Sequence, residues 1–148
     1  MILPDFKAFP RSGRIVGIDW GARRVGVAVS DDTRNFVFLR PTINLGLDDD
    51  VAAIVAQMTS DEHACGIVVG LPLYPDGTES DTTKMVRDFI DALSQKTDLP
   101  IVMVEENLTS VSAQESMGRV RVRDIKEKLD SESARIILEN AIALINRA

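Results

Sequence analysis

The chain has one cysteine, one histidine, one tryptophan and one tyrosine among its 148 residues, and these scarcities close off several kinds of chemistry. Cys65 alone forms no internal disulfide, and its place at the start of an apolar run fits a structural thiol. His63 stands alone just before a predicted strand and reads as a surface residue. No His or Cys partner is therefore placed for nucleophilic catalysis. No apolar run approaches the roughly 18 residues of a membrane-spanning helix. Residues 1–13 contain Asp5, Pro4 and Pro10 and no continuous apolar stretch, unlike a secretory signal, so a cytoplasmic location without membrane partners is expected. An excess of positive charge is missing too. Seventeen Lys and Arg against 23 Asp and Glu give a net charge of −6 and a pI near 4.8, which argues against coating nucleic acid by bulk charge. A local basic patch stays open, and so does a carboxylate site whose divalent cations reverse the local field.

What is present is ordinary for a globular protein: 45% hydrophobic and 27% charged residues. The length suits one core that buries about two thirds of the unfolded surface. The expected organisation is an extended lead-in over residues 1–13, with Phe6 and Phe9 docking on the body, and one domain over 14–148.

The rest is organised around Arg14 to Asp31. Two apolar, β-branched runs, Ile15 to Trp20 and Val25 to Val29, flank a glycine-led turn at Gly21 to Arg24, the pattern of a hairpin. Asp19 is the exception. In a run that otherwise reads as a buried central strand, a lone carboxylate costs several kcal/mol unless it is paired, protonated or bound to metal. The plainer alternative is that Asp19 accepts hydrogen bonds in the turn.

Phe36 to Leu39, with Ile43, reads as a third strand completing an antiparallel meander. Asp48 to Asp50 then caps a first helix bearing Val51, Ile54, Val55 and Met58. Gly66 to Val69 is a short all-apolar run of the kind covered on both faces, which marks a change to parallel crossovers. Gly70 to Ser80 reads as a loop between that strand and a second helix with Met85, Val86, Phe89, Ile90 and Leu93. It is expected to border the site, with Thr78 and Ser80 at the helix entrance, ready to cap it or to contact a phosphate. Pro100 to Val104 is a fifth strand ending in Glu105 and Glu106, and alternation puts Glu106 on the face of Val102 and Val104. Thr109 caps a short helix. The basic cluster of Arg119, Arg121, Arg123, Lys126 and Lys128 is either a phosphate-contacting loop or a solvated charged segment. The last helix is expected from about Asp130 to Ile145, with Asp130 either continuing its apolar stripe or capping it.

Strand order decides whether these acids meet. With the first strand central and parallel strands beside it, Asp19 and Glu106 end on neighbouring strands, and the last helix brings in Asp130. Three such carboxylates repel one another unless divalent cations sit among them. Two Mg²⁺ or Mn²⁺ ions about 4 Å apart can clamp the attacking water and the leaving oxygen of a phosphodiester.

These residues resemble the YqgF or RuvX family, named for Holliday junction resolution and ribosomal RNA precursor cleavage, within the RNase H-like superfamily. The resemblance covers Arg14 to about Asn146. It is carried by Gly17-x-Asp19-x-Gly21-x-x-Arg24-x-Gly26-x-Ala28-x-Ser30-Asp31, by Gly70-Leu-Pro-Leu followed by Asp76-Gly77-Thr78-Glu79, by Glu105-Glu106-Asn107-Leu108-Thr109, and by Asp130. It implies an α/β, RNase H-like fold: a central mixed five-stranded sheet, with a three-strand antiparallel meander and then parallel strands, flanked by helices. It also implies a metal-dependent nuclease with Asp19, Glu106 and Asp130 as catalytic and metal-binding acids, and Mg²⁺ or Mn²⁺ as cofactor. Arg24, Thr78, Ser80, Arg119, Arg121 and Arg123 are the candidate substrate contacts. The partners implied are an RNA precursor or branched DNA, with ribosomal particles, for a monomer or homodimer.

The family's strand-end motif is usually Asp-Glu-Arg. Here it is Glu105-Glu106-Asn107, so a phosphate-contacting guanidinium is missing and the first acid is longer. That loss favours an alternative, a noncatalytic RNA- or transcription-complex-binding protein on the same fold. A third reading, a sugar kinase or actin-like phosphotransferase, shares the Gly-x-Asp-x-Gly opening, but one domain of this length supplies only half its cleft. Trp20 either stacks on a base or packs on the sheet.

Overall fold

The computed structural model describes the backbone of residues 1–107 and 122–147, with side chains for 1–106 and 132–147. Its elements in chain order are β1 (Ile2–Leu3), β2 (Ile15–Asp19), β3 (Arg24–Ser30), β4 (Val37–Asn44), α1 (Val51–Asp61), β5 (Gly66–Leu73), α2 (Asp81–Lys96), β6 (Ile101–Asn107) and α3 (Val122–Arg147). The six strands form one mixed sheet in the order β1-β6-β5-β2-β3-β4. β2, β3 and β4 are the antiparallel meander, whereas β5 runs parallel to β2 and to β6. The five predicted strands are all present.

The sixth strand comes from the lead-in, where prolines were expected to prevent regular structure. Ile2 and Leu3 precede Pro4 and pair in parallel with Ile101 and Val102, so the proline ends this short edge strand rather than forbidding it. Phe6 and Phe9 dock as expected, edge to face with centroids 5.3 Å apart. Arg34, buried in a left-handed turn at φ 62°, lies over the Phe9 ring and donates through Nε to the Gly13 carbonyl at 2.8 Å.

Because side chains alternate along each strand, the sheet has two apolar faces, and each is covered. Val16, Ile18, Val27, Ile67, Val69 and Leu71 face α1 and α2, which contribute Val55, Val86, Phe89, Ile90 and Leu93. Met85, expected on that helix face, is instead exposed. Trp20 packs here, 6.4 Å from the Phe89 ring, so its role in the structure is core packing. The opposite face, with Ile15, Ala28, Val68, Val102 and Val104, is covered by Phe6, Phe9 and α3, whose buried stripe is Ala134, Ile137, Leu138, Ala141 and Ile145. Helical spacing predicts Ala134, Ile137, Leu138, Ala141, Ile142 and Ile145 on one face, and of these only Ile142 is partly buried rather than buried.

Two boundaries differ from expectation. β5 continues through Gly70 to Leu73, so the predicted loop shortens to residues 74–80. The glycine and proline that suggested a loop are tolerated because Pro72 lies beyond the last β2–β5 pair, Ile18 with Val69, where only β6 remains alongside. α3 begins at Val122, two turns before the expected start. Arg, Lys and Glu, which have good helix propensity, make up most of the run Arg123 to Lys128, and the helix extends through it. Asp130 is therefore interior to the helix, which removes the capping role considered for it.

α3 lies close to the sheet because Gly17 has no side chain. A Cβ there would sit 2.8 Å from Leu138 Cβ and 3.0 Å from the Ala134 carbonyl oxygen, both tighter than real contacts. Gly17→Ala is expected to push the helix outward and destabilise the fold by about 1 to 3 kcal/mol, the usual range for overpacking. Urea unfolding of the two proteins measures it, and an unchanged midpoint would show that the helix is not held at this point.

Candidate functional site

Asp19 and Glu106 both lie on the α3 side of the sheet, near the carboxyl ends of the parallel strands, where ligands of open α/β sheets bind. Asp19 ends β2. Glu106 lies in β6 opposite Pro72 of β5. The two are not on neighbouring strands as expected. β5 lies between β2 and β6, which puts the two backbones two strand spacings apart, roughly 10 Å.

Gly70 of the middle strand offsets that separation. Continuing the register from Ile18–Val69 places Gly70 level with Asp19, and pairing places it beside Val104. A Cβ on Gly70 would lie 3.0 Å from Glu106 Oε1 and would collide with Ile137 Cδ1 of α3. The Glu106 side chain thus reaches back over the middle strand, toward the column in which Asp19 stands. Glu105 is exposed and Glu106 largely buried, as strand alternation predicted. Burial alone pushes the Glu106 carboxyl up to about 7. Among the described residues nothing positive offsets the lost hydration.

α3 also runs toward this end. Leu144 shares a surface groove with Val102, while Ile137 sits over Gly70, which is level with Val104 two residues further along β6. Going from Leu144 to Ile137 therefore follows the strands toward their carboxyl ends. Asp130 is seven residues nearer the helix N-terminus than Ile137, about 10 Å further along the axis. Its backbone is on the site's side of the molecule, and its side chain lies outside the described residues. Among the described residues no three His, Cys, Asp or Glu side chains gather closely enough to hold a metal ion. The donors that are described suit a hard divalent cation: they are oxygens only, and one is a partly buried carboxylate with no compensating charge among the described residues.

The loop after β5 borders the site. Leu73, Tyr74, Pro75 and Gly77 line a cleft of about 250 Å³ together with Glu105 and Glu106. Of the two roles open to Ser80, capping is the one it performs in the structure. Its Oγ accepts from the Thr83 N–H, Thr83 Oγ1 accepts from the Ser80 N–H, and Thr83 also donates to the Pro72 carbonyl. This buried box ties the start of α2 to the end of β5. Thr78 donates from N–H and Oγ1 to Asp76, at 2.9 and 2.6 Å, and these bonds hold the Asp76 carboxyl below the usual carboxylate range. Arg24 opens β3 opposite Asn44, at the hairpin turn that follows Asp19. Arg119 and Arg121 lie outside the described residues, as does the short helix expected after Thr109, and Arg123 is in the first turn of α3.

A model of the family RuvX, Holliday junction resolvase, matches residues 13–143. The chain belongs to the RuvX family. A relative from Maridesulfovibrio salexigens is 36% identical over 132 residues, which is 88% of this chain and 98% of that protein. One from Nitratidesulfovibrio vulgaris is 35% identical over 133 residues, with coverage of 88% and 94%. Both carry the name "Putative pre-16S rRNA nuclease". Among solved structures, Thermus thermophilus RuvC in complex with a Holliday junction substrate aligns with a TM-score of 0.56 and 13% identity over 91% of this chain and 96% of that one. The fowlpox virus Holliday junction resolvase aligns at 0.50 and 14%, covering 86% and 95%. The RuvX chain therefore has the RuvC-like RNase H fold.

Sequence reading missed Gly70 as part of the site, since it was taken for a loop residue. The signal was available: a glycine inside an all-apolar run marks a place where something else approaches the backbone. The raised Glu106 carboxyl has a measurable consequence in chelator. Folded protein keeps this proton up to about pH 7, whereas the unfolded chain releases it near 4.3. The folded state's advantage is present in full below about 4.3 and is lost as pH rises through 7, a change on the order of 3 kcal/mol. Urea unfolding of wild type and Glu106→Gln across this range should show the slope in wild type only. Parallel curves would mean that Glu106 is hydrated in solution.

Proposed function

We propose that this RuvX-family chain is a divalent-metal-dependent nuclease that hydrolyses phosphodiester bonds, in maturation of the 5′ end of pre-16S ribosomal RNA or in cutting branched DNA. The observation that carries this reading is the Glu106 carboxylate turned back over Gly70 toward the Asp19 column, with the N-terminal half of α3 extending over the same end of the sheet. The names of the relatives favour RNA, and the fold is shared with enzymes solved as junction resolvases.

Asp19, Glu106 and Asp130 would hold the cations, Mg²⁺ or Mn²⁺. Bound there, the ions would supply an activated water and charge neutralisation at the phosphate. The chain's own residues do the rest. Gly70 and Ile137 seat the Glu106 carboxyl where its hydration is limited. The Asp76–Thr78 turn sets one wall of the cleft, and the capping box at Ser80 fixes that wall to the sheet. Arg24 and the basic run Arg119, Arg121 and Arg123 are proposed as contacts to the substrate backbone. Thr78 is kept as a weaker candidate because its hydroxyl already serves Asp76.

The test is incubation with single-stranded RNA, duplex DNA and four-way junctions, with Mn²⁺, with Mg²⁺ and with chelator. Asp19→Asn and Asp130→Asn should fold, bind Mn²⁺ weakly by calorimetry and lack hydrolysis. A destabilised Asp19→Asn with undiminished Mn²⁺ binding would defeat the metal-site assignment. Wild type that binds nucleic acid without cutting any substrate would favour the noncatalytic reading that the missing arginine at Asn107 suggests.

Backbone contacts have their own signature. Replacing Arg119, Arg121 and Arg123 together by Ala is expected to lower the slope of log affinity against log salt by about 0.9 for each lost duplex contact, or about 0.7 for a single strand. An unchanged slope would leave these arginines as a solvated charged segment.

A further inference from the structure

We infer that Tyr74 is a stacking platform for an unpaired base beside the scissile phosphate, and so selects nucleic acid that is single-stranded at the point of cleavage. This deepens the nuclease reading and rests on it. Tyr74 is the chain's one tyrosine, and its side chain is 48% exposed, although it sits directly after a fully buried strand. Along β5, residues 66, 68, 70 and 72 share the face of Glu106, and Tyr74 follows directly after the strand's last residue. It lines the same 250 Å³ cleft as Glu105 and Glu106.

The backbone that carries the ring is fixed by the chain around it. The Tyr74 N–H donates to the Thr78 carbonyl at 3.0 Å, and the Tyr74 carbonyl accepts from the Gly77 N–H at 2.8 Å. Pro75 restricts the next residue, Asp76 is bonded to Thr78, and Leu73 bridges Glu79. A turn with its backbone bonds satisfied presents the ring at little loss of side-chain freedom, since Tyr has only two χ angles to fix.

Charge explains why an aromatic residue is useful here. Glu105 and Glu106 line the cleft and repel a phosphate backbone. An adjacent arginine would pair with them rather than with substrate, whereas a neutral π-face attracts any base and is indifferent to the acids. The cleft, at about 250 Å³, is smaller than ordinary small-molecule sites, which begin near 300 Å³, a size suited to one ring. A base in a continuous duplex has both faces covered by its neighbours. Only an unpaired or unstacked base can lie on Tyr74.

The experiment reads binding in chelator, so that it is independent of hydrolysis. A short fluorescein-labelled single-stranded RNA, the DNA strand of the same sequence, and each annealed to its complement are titrated with wild type, Tyr74→Ala and Tyr74→Phe. Fluorescence anisotropy should show Tyr74→Ala weakening both single strands by about five- to a hundredfold, the value of one base stack. Tyr74→Phe should stay close to wild type, the salt slope should be unchanged, and the duplexes should be unaffected. Irradiation of the same strands carrying iodouridine should crosslink to Tyr74, read by mass spectrometry. Equal single-strand binding by Tyr74→Ala, an equal loss for duplex and single strand, or absence of single-strand binding by wild type overturns the proposal. Single-strand binding with the Tyr74 crosslink but no metal-dependent cutting would defeat the nuclease reading and leave the stacking platform intact. Cutting with a silent Tyr74→Ala does the reverse.

Discussion

The arrangement depends on how near α3 can come to the sheet. Where a helix packs on a sheet, side chains on both surfaces normally keep the backbones apart. At Gly17 the helix backbone itself, through the Ala134 carbonyl, approaches the strand, and at Gly70 Ile137 fills the place of the missing side chain. The two glycines lie on β2 and β5, adjacent strands that share a face, and they form a shallow bed in which the helix rests. Without that bed, Asp19 would look out beneath a raised helix, and the helix residues ahead of Ala134 would pass too high to share a site with it. The same space at Gly70 admits the Glu106 side chain. One missing methyl thus serves packing and chemistry together.

The strength of the core permits this. The parallel strand β5 and the central β2 beside it are buried on both faces, with Ile15, Val16, Ile18, Ile67, Val68 and Val69 essentially inaccessible. Apolar burial on this scale, at about 25 cal/mol per Å², readily absorbs one carboxyl seated at the edge of the apolar layer. That carboxyl is kept at the strand end rather than mid-strand. There, Gly70 and Ile137 restrict water on one side while the cleft of Tyr74 and Pro75 leaves the other open.

Much of this was legible in the sequence, and the limits have physical causes. The continuous apolar runs of β2 and β3, the alternation at the end of β6, and the 3.6-residue stripe of Ala134, Ile137, Leu138, Ala141 and Ile145 reported which residues are buried. Alternation also chose Glu106 over Glu105 correctly. Strand order was not readable in the same way, because periodicity carries the orientation of a residue and says nothing about which strand lies beside it. Hence the neighbouring position expected for β2 and β6 was wrong, with β5 between them. Gly70 to Leu73 read as loop because glycine and proline are weighed as breakers. Their true context, a strand outlasting its neighbour, is tertiary. The early start of α3 was hidden by charge, since a basic run with interleaved acids looks the same on a solvated helix as in a loop.

Electrostatics gives the clearest link from this fold to its chemistry. Under the proposed function, a protein of net charge −6 must gain its attraction for a polyanion locally, and burying a carboxyl where no described cationic side chain meets it is the wrong way to do so unless something positive is recruited. Pairing Glu106 with an arginine would have stabilised the metal-free fold by returning its carboxyl to the ordinary range. It would also have spent the charge inside the protein and left nothing to draw a cation. On the proposed nuclease reading, a carboxyl kept near 7 by burial would be poised to give up its proton to a divalent ion and serve it as an oxygen donor in a poorly hydrated seat. The instability of Glu106 without a counter-ion and its usefulness with one are therefore the same property, set by a glycine on the neighbouring strand.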